Sequence, residues 1–131
     1  MKNKDFIELV KRTQRNTSAL LIAKGQEYAG EADRLSNFKR GSTNTGMTPL
    51  QVCFIYMSKH YDSLATYVKK DAGGYTQILA EPIDGRLDDL INYCILMKAL
   101  IQESASLDKD KVHRTFLDSL HTEESSPPEL I

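Results

Sequence analysis

Glu81-Pro82-Ile83-Asp84-Gly85-Arg86-Leu87-Asp88-Asp89-Leu90-Ile91-Asn92-Tyr93 runs directly into Cys94-Ile95-Leu96-Met97-Lys98-Ala99-Leu100-Ile101. Pro82 suits a helix start, and the apolar run after Tyr93 reads as a helix that is mostly buried. At about 100° per residue, Arg86, Asp89 and Tyr93 project from one face of that helix, with Asn92 beside them. Asp88 falls on another face and is expected in solvent. A guanidinium, a carboxylate, an amide and a phenol on one stripe must pair with each other or hold something. The stripe therefore reads either as a helix-to-helix polar network or as one wall of a ligand site.

Working outward, the chain shows helical spacing and no alternating strand pattern. Phe6, Leu9, Val10, Thr13, Thr17, Leu20 and Leu21 predict a first helix over about 4–24, with Gly25 as a break or bend. A short helix is expected over about 33–39, and GSTNTG (41–46) reads as a loop. Thr48-Pro49-Leu50-Gln51 is a strong helix start, with a cap, a proline at the first helical position and a capping-box glutamine. That helix is expected to end at Asp71-Ala72-Gly73-Gly74. The segment 75–80 reads as a connector. The helix opened by Pro82 is expected to reach about Ser104, and weak spacing over 108–120 suggests one more. The fold class is all-α, a helical bundle of four to five helices. One domain is expected over 1–121, with 122–131 a loosely ordered tail.

The chain has 131 residues, enough for one domain with a core at 40% apolar content. Its formal net charge of -1 gives no field to draw nucleic acid or an anionic membrane, so neither is expected as a partner. The first residues, MKNKDF, lack the apolar core of a signal peptide, and no apolar run approaches membrane length. Cys53 and Cys94 both sit in apolar runs and read as buried, reduced thiols. A cytoplasmic protein is expected. There is no glycine-rich phosphate loop, no HExxH, no GxSxG and no paired-cysteine zinc motif.

Three polar clusters remain. One is Lys24, Glu27 and Tyr28 with Asn37-Phe38. The second is Lys59-His60 with Asp62 and Ser63, in the middle of an apolar helix. The third is Glu81, Arg86, Asp89, Asn92 and Tyr93. Each has a purely structural reading: Lys24 as a helix C-terminal partner, His60 as a satisfied or exposed histidine. Helices three and four both carry charges where apolar residues are expected. Brought together, these offer cations, carboxylates and an imidazole, a set that suits a phosphorylated small molecule, with or without Mg²⁺.

In order, KGQEYAGEADRLSNF, TPLQVCFIYMSKHYDSL and EPIDGRLDDLINYCILMKALI resemble a phage and prophage family, the nucleotide modification associated domain 1 family. Glu27-Tyr28, Asn37-Phe38, Lys59-His60 and Asp89-Leu90-Ile91-Asn92-Tyr93 carry the likeness, which spans about residues 20–103. It implies association with phage nucleotide metabolism and, if the chain is phage-encoded, a host-cell cytoplasm. A more distant resemblance is to the all-α nucleoside triphosphate pyrophosphohydrolases of the MazG and dimeric dUTPase type. Asp89 matches the aspartate of their ExxD, Arg86 replaces its glutamate, and their EExxE is absent. That likeness implies a homo-oligomer and a Mg²⁺ site at Asp89; Glu81 and Asp89 are expected to orient the cations or to hold a metal. An arginine at position 86 would bind phosphate directly.

From these residues the expected ligand site combines Lys24, Glu27, Tyr28, Asn37, Phe38, Lys59, His60, Asp62, Arg86, Asp89, Asn92 and Tyr93, with no catalytic residue assigned. The expected function is nucleotide binding, with Mg²⁺-dependent pyrophosphohydrolysis as its variant. A protein that sequesters a nucleotide signal without turnover, and a protein-binding module with structural polar clusters, are the rival classes.

Overall fold

The computed structural model describes residues 1–29 and 32–123; residues 124–131, most of the expected tail, lie outside them. The described residues form four helices and no strand: α1 (Asn3–Tyr28), α2 (Ser36–Thr45), α3 (Pro49–Ala72) and α4 (Ile83–Glu123). The all-α architecture follows. By packing, the chain divides between Leu100 and Ile101, and the core and cavity described below belong to residues 1–100.

The start of α3 forms as its sequence dictates. Gln51 N–H donates to Thr48 Oγ1 at 3.2 Å, and Thr48 N–H donates to Gln51 Oε1 at 2.9 Å, closing the capping box. At its far end Gly73 caps the helix and Gly74 turns the chain at φ 73°. Gln77 Nε2 then donates to the Tyr67 carbonyl at 3.0 Å, tying the connector back to α3.

Several expectations need correction. Gly25 does not break α1, which continues to Tyr28 with Gly25 buried. The GSTNTG segment is not a loop but the second half of α2. Thr43 and Thr45 hydroxyls donate to the Lys39 and Gly41 carbonyls at 3.1 and 2.7 Å, so these polar side chains bond within the helix. Gly46 at φ 74° ends it. Gly41 also lets α2 approach α3: a Cβ there would lie 2.7 Å from Val52 Cγ1. Finally, α4 is one helix to Glu123 rather than two, because residues 104–108 contain no glycine or proline to interrupt it.

Leu35, Phe38, Val52, Cys53 and Leu100 form the buried core, flanked by Leu50, Tyr93, Leu96, Met97 and Ala99. It joins α2, α3 and the first five turns of α4. On α4 the inward stripe is Asp89, Asn92, Tyr93, Leu96 and Leu100, spaced for one face. The opposite stripe, Leu87, Ile91, Cys94 and Ile95, is exposed, so the helix is not buried all round and Cys94 is not a buried thiol. Cys53 is fully buried, and burial pushes its thiol up to about 11. On α3, Phe54, Tyr61 and Val68 are also exposed. No helix among the described residues is long and apolar enough to cross a membrane.

Candidate functional site: a cationic cavity with an orphaned amide

The last turns of α1, the body of α2, the middle of α3 and the start of α4 line a partly open cavity of about 650 Å³. Small-molecule sites are of this size. Helical period selects the residues on its wall. Leu21, Lys24, Gly25 and Tyr28 come from one face of α1, and Tyr56, Lys59 and His60 from one face of α3. Arg34, Asn37, Phe38, Arg40 and Asn44 come from α2 and its lead-in, and Glu81, Arg86, Asp89, Asn92, Tyr93 and Leu96 from the start of α4.

Ten of the twelve side chains expected to bind ligand meet at this cavity, and so does Glu81. Glu27 and Asp62 do not. Each is exposed and sits about 120° from the centre of its helix's inner face, a consequence of the 3.6-residue period. Asp88 is half-buried and does not line the cavity; burial, Asp84 and Asp89 push its carboxyl up.

Charge is concentrated here. Lys24, Arg34, Arg40, Lys59 and Arg86 face two carboxylates, Glu81 and Asp89, in a chain whose net charge is -1. Lys24 Nζ donates to Asp89 Oδ1 at 2.6 Å, and Arg86 Nη2 lies 3.0 Å from Glu81 Oε2. Arg40 Nη2 donates to the Tyr28 carbonyl at 2.7 Å. Among the described residues, Arg34 and Lys59 have no hydrogen-bonding or ion-pair partner.

Three side chains on the inner wall are polar and nearly fully buried. Asp89 and His60 face each other, with Oδ2 and Nδ1 3.5 Å apart, too far for a hydrogen bond. Burial holds the His60 imidazole below its ordinary pKa; Asp89 opposes this, and Lys59, Arg86 and Lys24 reinforce it. The balance favours the neutral imidazole. Its ring packs 5.4 Å from that of Tyr93, whose phenol is pushed up to about 12 by burial and by Asp89. The third is Asn92, only 5% exposed, with neither its amide oxygen nor its amide nitrogen hydrogen-bonded. A buried amide normally has partners, and these two unpaired atoms face the cavity, where a ligand or an ordered water could bond to them.

Glu81 and Asp89 were expected to hold a metal. Both line the cavity, each beside a cation, and no three His, Cys, Asp or Glu side chains gather as a metal cage among the described residues. A Mg²⁺ ion here would draw most of its oxygen ligands from phosphate and water.

Sequence reasoning missed Arg34, Arg40, Tyr56 and Asn44. Arg34 and Arg40 flank the Asn37-Phe38 pair in sequence, which is the one signal that pointed to them, and Asn44 falls in the stretch 41–46 that reads as a loop. Compared with models of known protein families, with curated proteins and with solved structures, the chain matches none.

Proposed function

We propose that this protein binds a phosphorylated small molecule of the nucleotide class in the cavity bounded by α1, α2, α3 and α4. One observation carries the reading: five cations face two carboxylates around a buried amide that has no partner. An excess of positive charge in a partly enclosed site suits phosphate oxygens. An unpaired donor and acceptor on one amide suit the edge of a planar base or an equivalent group. Tyr28, Tyr56 and Tyr93 supply rings beside it. The ordered motifs of residues 20–103 support the nucleotide class, and a host cytoplasm is the compartment that fits it.

Binding without turnover is favoured over hydrolysis. Each carboxylate that would hold Mg²⁺ is already paired with a cation, Asp89 with Lys24 and Glu81 with Arg86. Hydrolysis would require Mg²⁺ to displace those cations and to arrive with the ligand phosphates. A second copy of the chain is the partner that suits the exposed apolar positions Phe54, Tyr61 and Val68 on α3, which recur every seven residues.

The test is calorimetric titration with nucleoside mono-, di- and triphosphates, with and without Mg²⁺, alongside an assay for released phosphate and pyrophosphate. Saturable binding that weakens with salt, and no released product, is the expected result. Release of pyrophosphate dependent on Mg²⁺ would replace sequestration by hydrolysis. Absence of binding to every phosphorylated compound would remove the proposal.

A further inference from the structure

We propose that Gly25 is a seat for the Arg34 guanidinium, and that Arg34, held there, grips the phosphate oxygens of the ligand. This rests on reading the cavity as a phosphate-ligand site and adds where the anion is held.

Gly25 lies inside α1, in ordinary helical backbone with no positive φ. Chain geometry therefore does not require glycine, and glycine weakens a helix relative to alanine. Its use here has a spatial explanation. A Cβ on Gly25 would lie 0.6 Å from Arg34 Nη1, 1.4 Å from Cζ and 2.0 Å from Nη2. The guanidinium occupies the place that any side chain at position 25 would take. Arg34 belongs to the lead-in to α2, so the glycine joins the end of one helix to the approach of the next.

The seated group is also one of the two cavity cations, with Lys59, that lack a partner among the described residues, and it is the only guanidinium of the two. Lys24 and Arg86 have carboxylates, and Arg40 has the Tyr28 carbonyl. Arg34 is half-buried and lines the cavity, yet no acceptor among the described residues meets it. A guanidinium carries five N–H donors in one plane. With the glycine against it, the fork keeps its orientation before ligand arrives, which suits bidentate contact with phosphate oxygens. Gly25 is then a positioning residue, acting through Arg34.

The full chain is tested by calorimetry with pyrophosphate and by thermal melting. In Gly25→Ala the three atoms nearest the methyl are all in the guanidinium of Arg34, the flexible end of that side chain, which swings away. The expected result is a melting temperature equal to the parent's or higher, because alanine favours helix, with pyrophosphate affinity about ten- to hundredfold weaker, as for a lost charge-assisted contact. Arg34→Ala should lose a similar factor. Gly25→Ala added to Arg34→Ala should cost nothing further, since both act on one contact.

Pyrophosphate binding by Gly25→Ala equal to the parent's overturns the seat. So does an equal loss from Gly25→Ala in the Arg34→Ala background, which would mean that the methyl obstructs the cavity itself. If Gly25→Ala lowers the melting temperature, adding Arg34→Ala must restore it; failure to do so also overturns the seat. A parent that binds neither pyrophosphate nor any nucleotide removes the reading of the cavity, and this inference with it. A parent that binds while Gly25→Ala is indifferent removes only the seat.

Discussion

Replacing Asn92 by leucine should make the protein more stable and less able to bind. Asn92 is 5% exposed, and both polar atoms of its side chain lack partners. An unsatisfied buried polar group costs about 1–3 kcal/mol. Leucine has a similar shape, carries no unmet donor or acceptor, and faces Tyr93 and Leu96 on the same helix side. The gain expected from Asn92→Leu is therefore about 1–3 kcal/mol. For a unit of about a hundred residues, each kcal/mol raises the melting temperature by roughly 4 °C, so a rise of about 4–12 °C is expected. In the same variant, nucleotide affinity should fall about ten- to hundredfold, the loss of one or two contacts to the ligand. Thermal melting and calorimetry on one preparation read both effects. Opposite movement of stability and affinity is the signature of a residue kept for function at the expense of packing. A variant that melts below the parent and binds nucleotide equally well would refute the reasoning, and would make Asn92 part of a structural network.

Two further outcomes follow from the titrating groups. His60 is held below its ordinary pKa of 6.5 in the folded chain, chiefly by burial. The unfolded chain therefore takes up a proton that the folded chain resists. His60 lets full stability stand above about pH 6.5 and be lost as pH falls below it toward the folded value. Melting temperatures from pH 7.5 to 5 should fall for the parent and fall less for His60→Gln; parallel curves would contradict this. For the thiols, native protein should take up one equivalent of a thiol reagent rapidly, at exposed Cys94, while Cys53 reacts only on unfolding. Mass spectrometry showing Cys53 labelled as fast as Cys94 would count against the packing of α3.

The features legible in the sequence are those set by local bonding or by helical period. Thr48, Pro49 and Gln51 mark the start of α3 because the cap closes within four residues. Arg86, Asp89, Asn92 and Tyr93 share a face because the helix fixes their angles. The same period places Glu27 and Asp62 outside, which identity and proximity in sequence alone did not resolve. The misread parts depend on contacts between distant segments. The 41–46 stretch has the composition of a loop, yet Gly41 against Val52 and the hydroxyl bonds of Thr43 and Thr45 hold it helical. Gly25 signals a bend by type, and only the approach of Arg34 shows why glycine stands there. Cys94 sits in an apolar run, but that run supplies an outer as well as an inner stripe. Arg34 and Arg40 join the cavity through the packing of α2, which no spacing rule specifies.

The central claim is that a phosphorylated ligand occupies the cavity and satisfies the buried amide. Its most direct measurement is the side-chain amide resonance of Asn92, assigned by its loss in Asn92→Leu and followed by nuclear magnetic resonance during titration with a nucleoside triphosphate. The account predicts a saturable shift of that resonance, together with those of the His60 ring, at the concentrations at which calorimetry shows binding. A titration that saturates by calorimetry while the Asn92 amide and the His60 ring stay unmoved would place the ligand elsewhere and contradict the account.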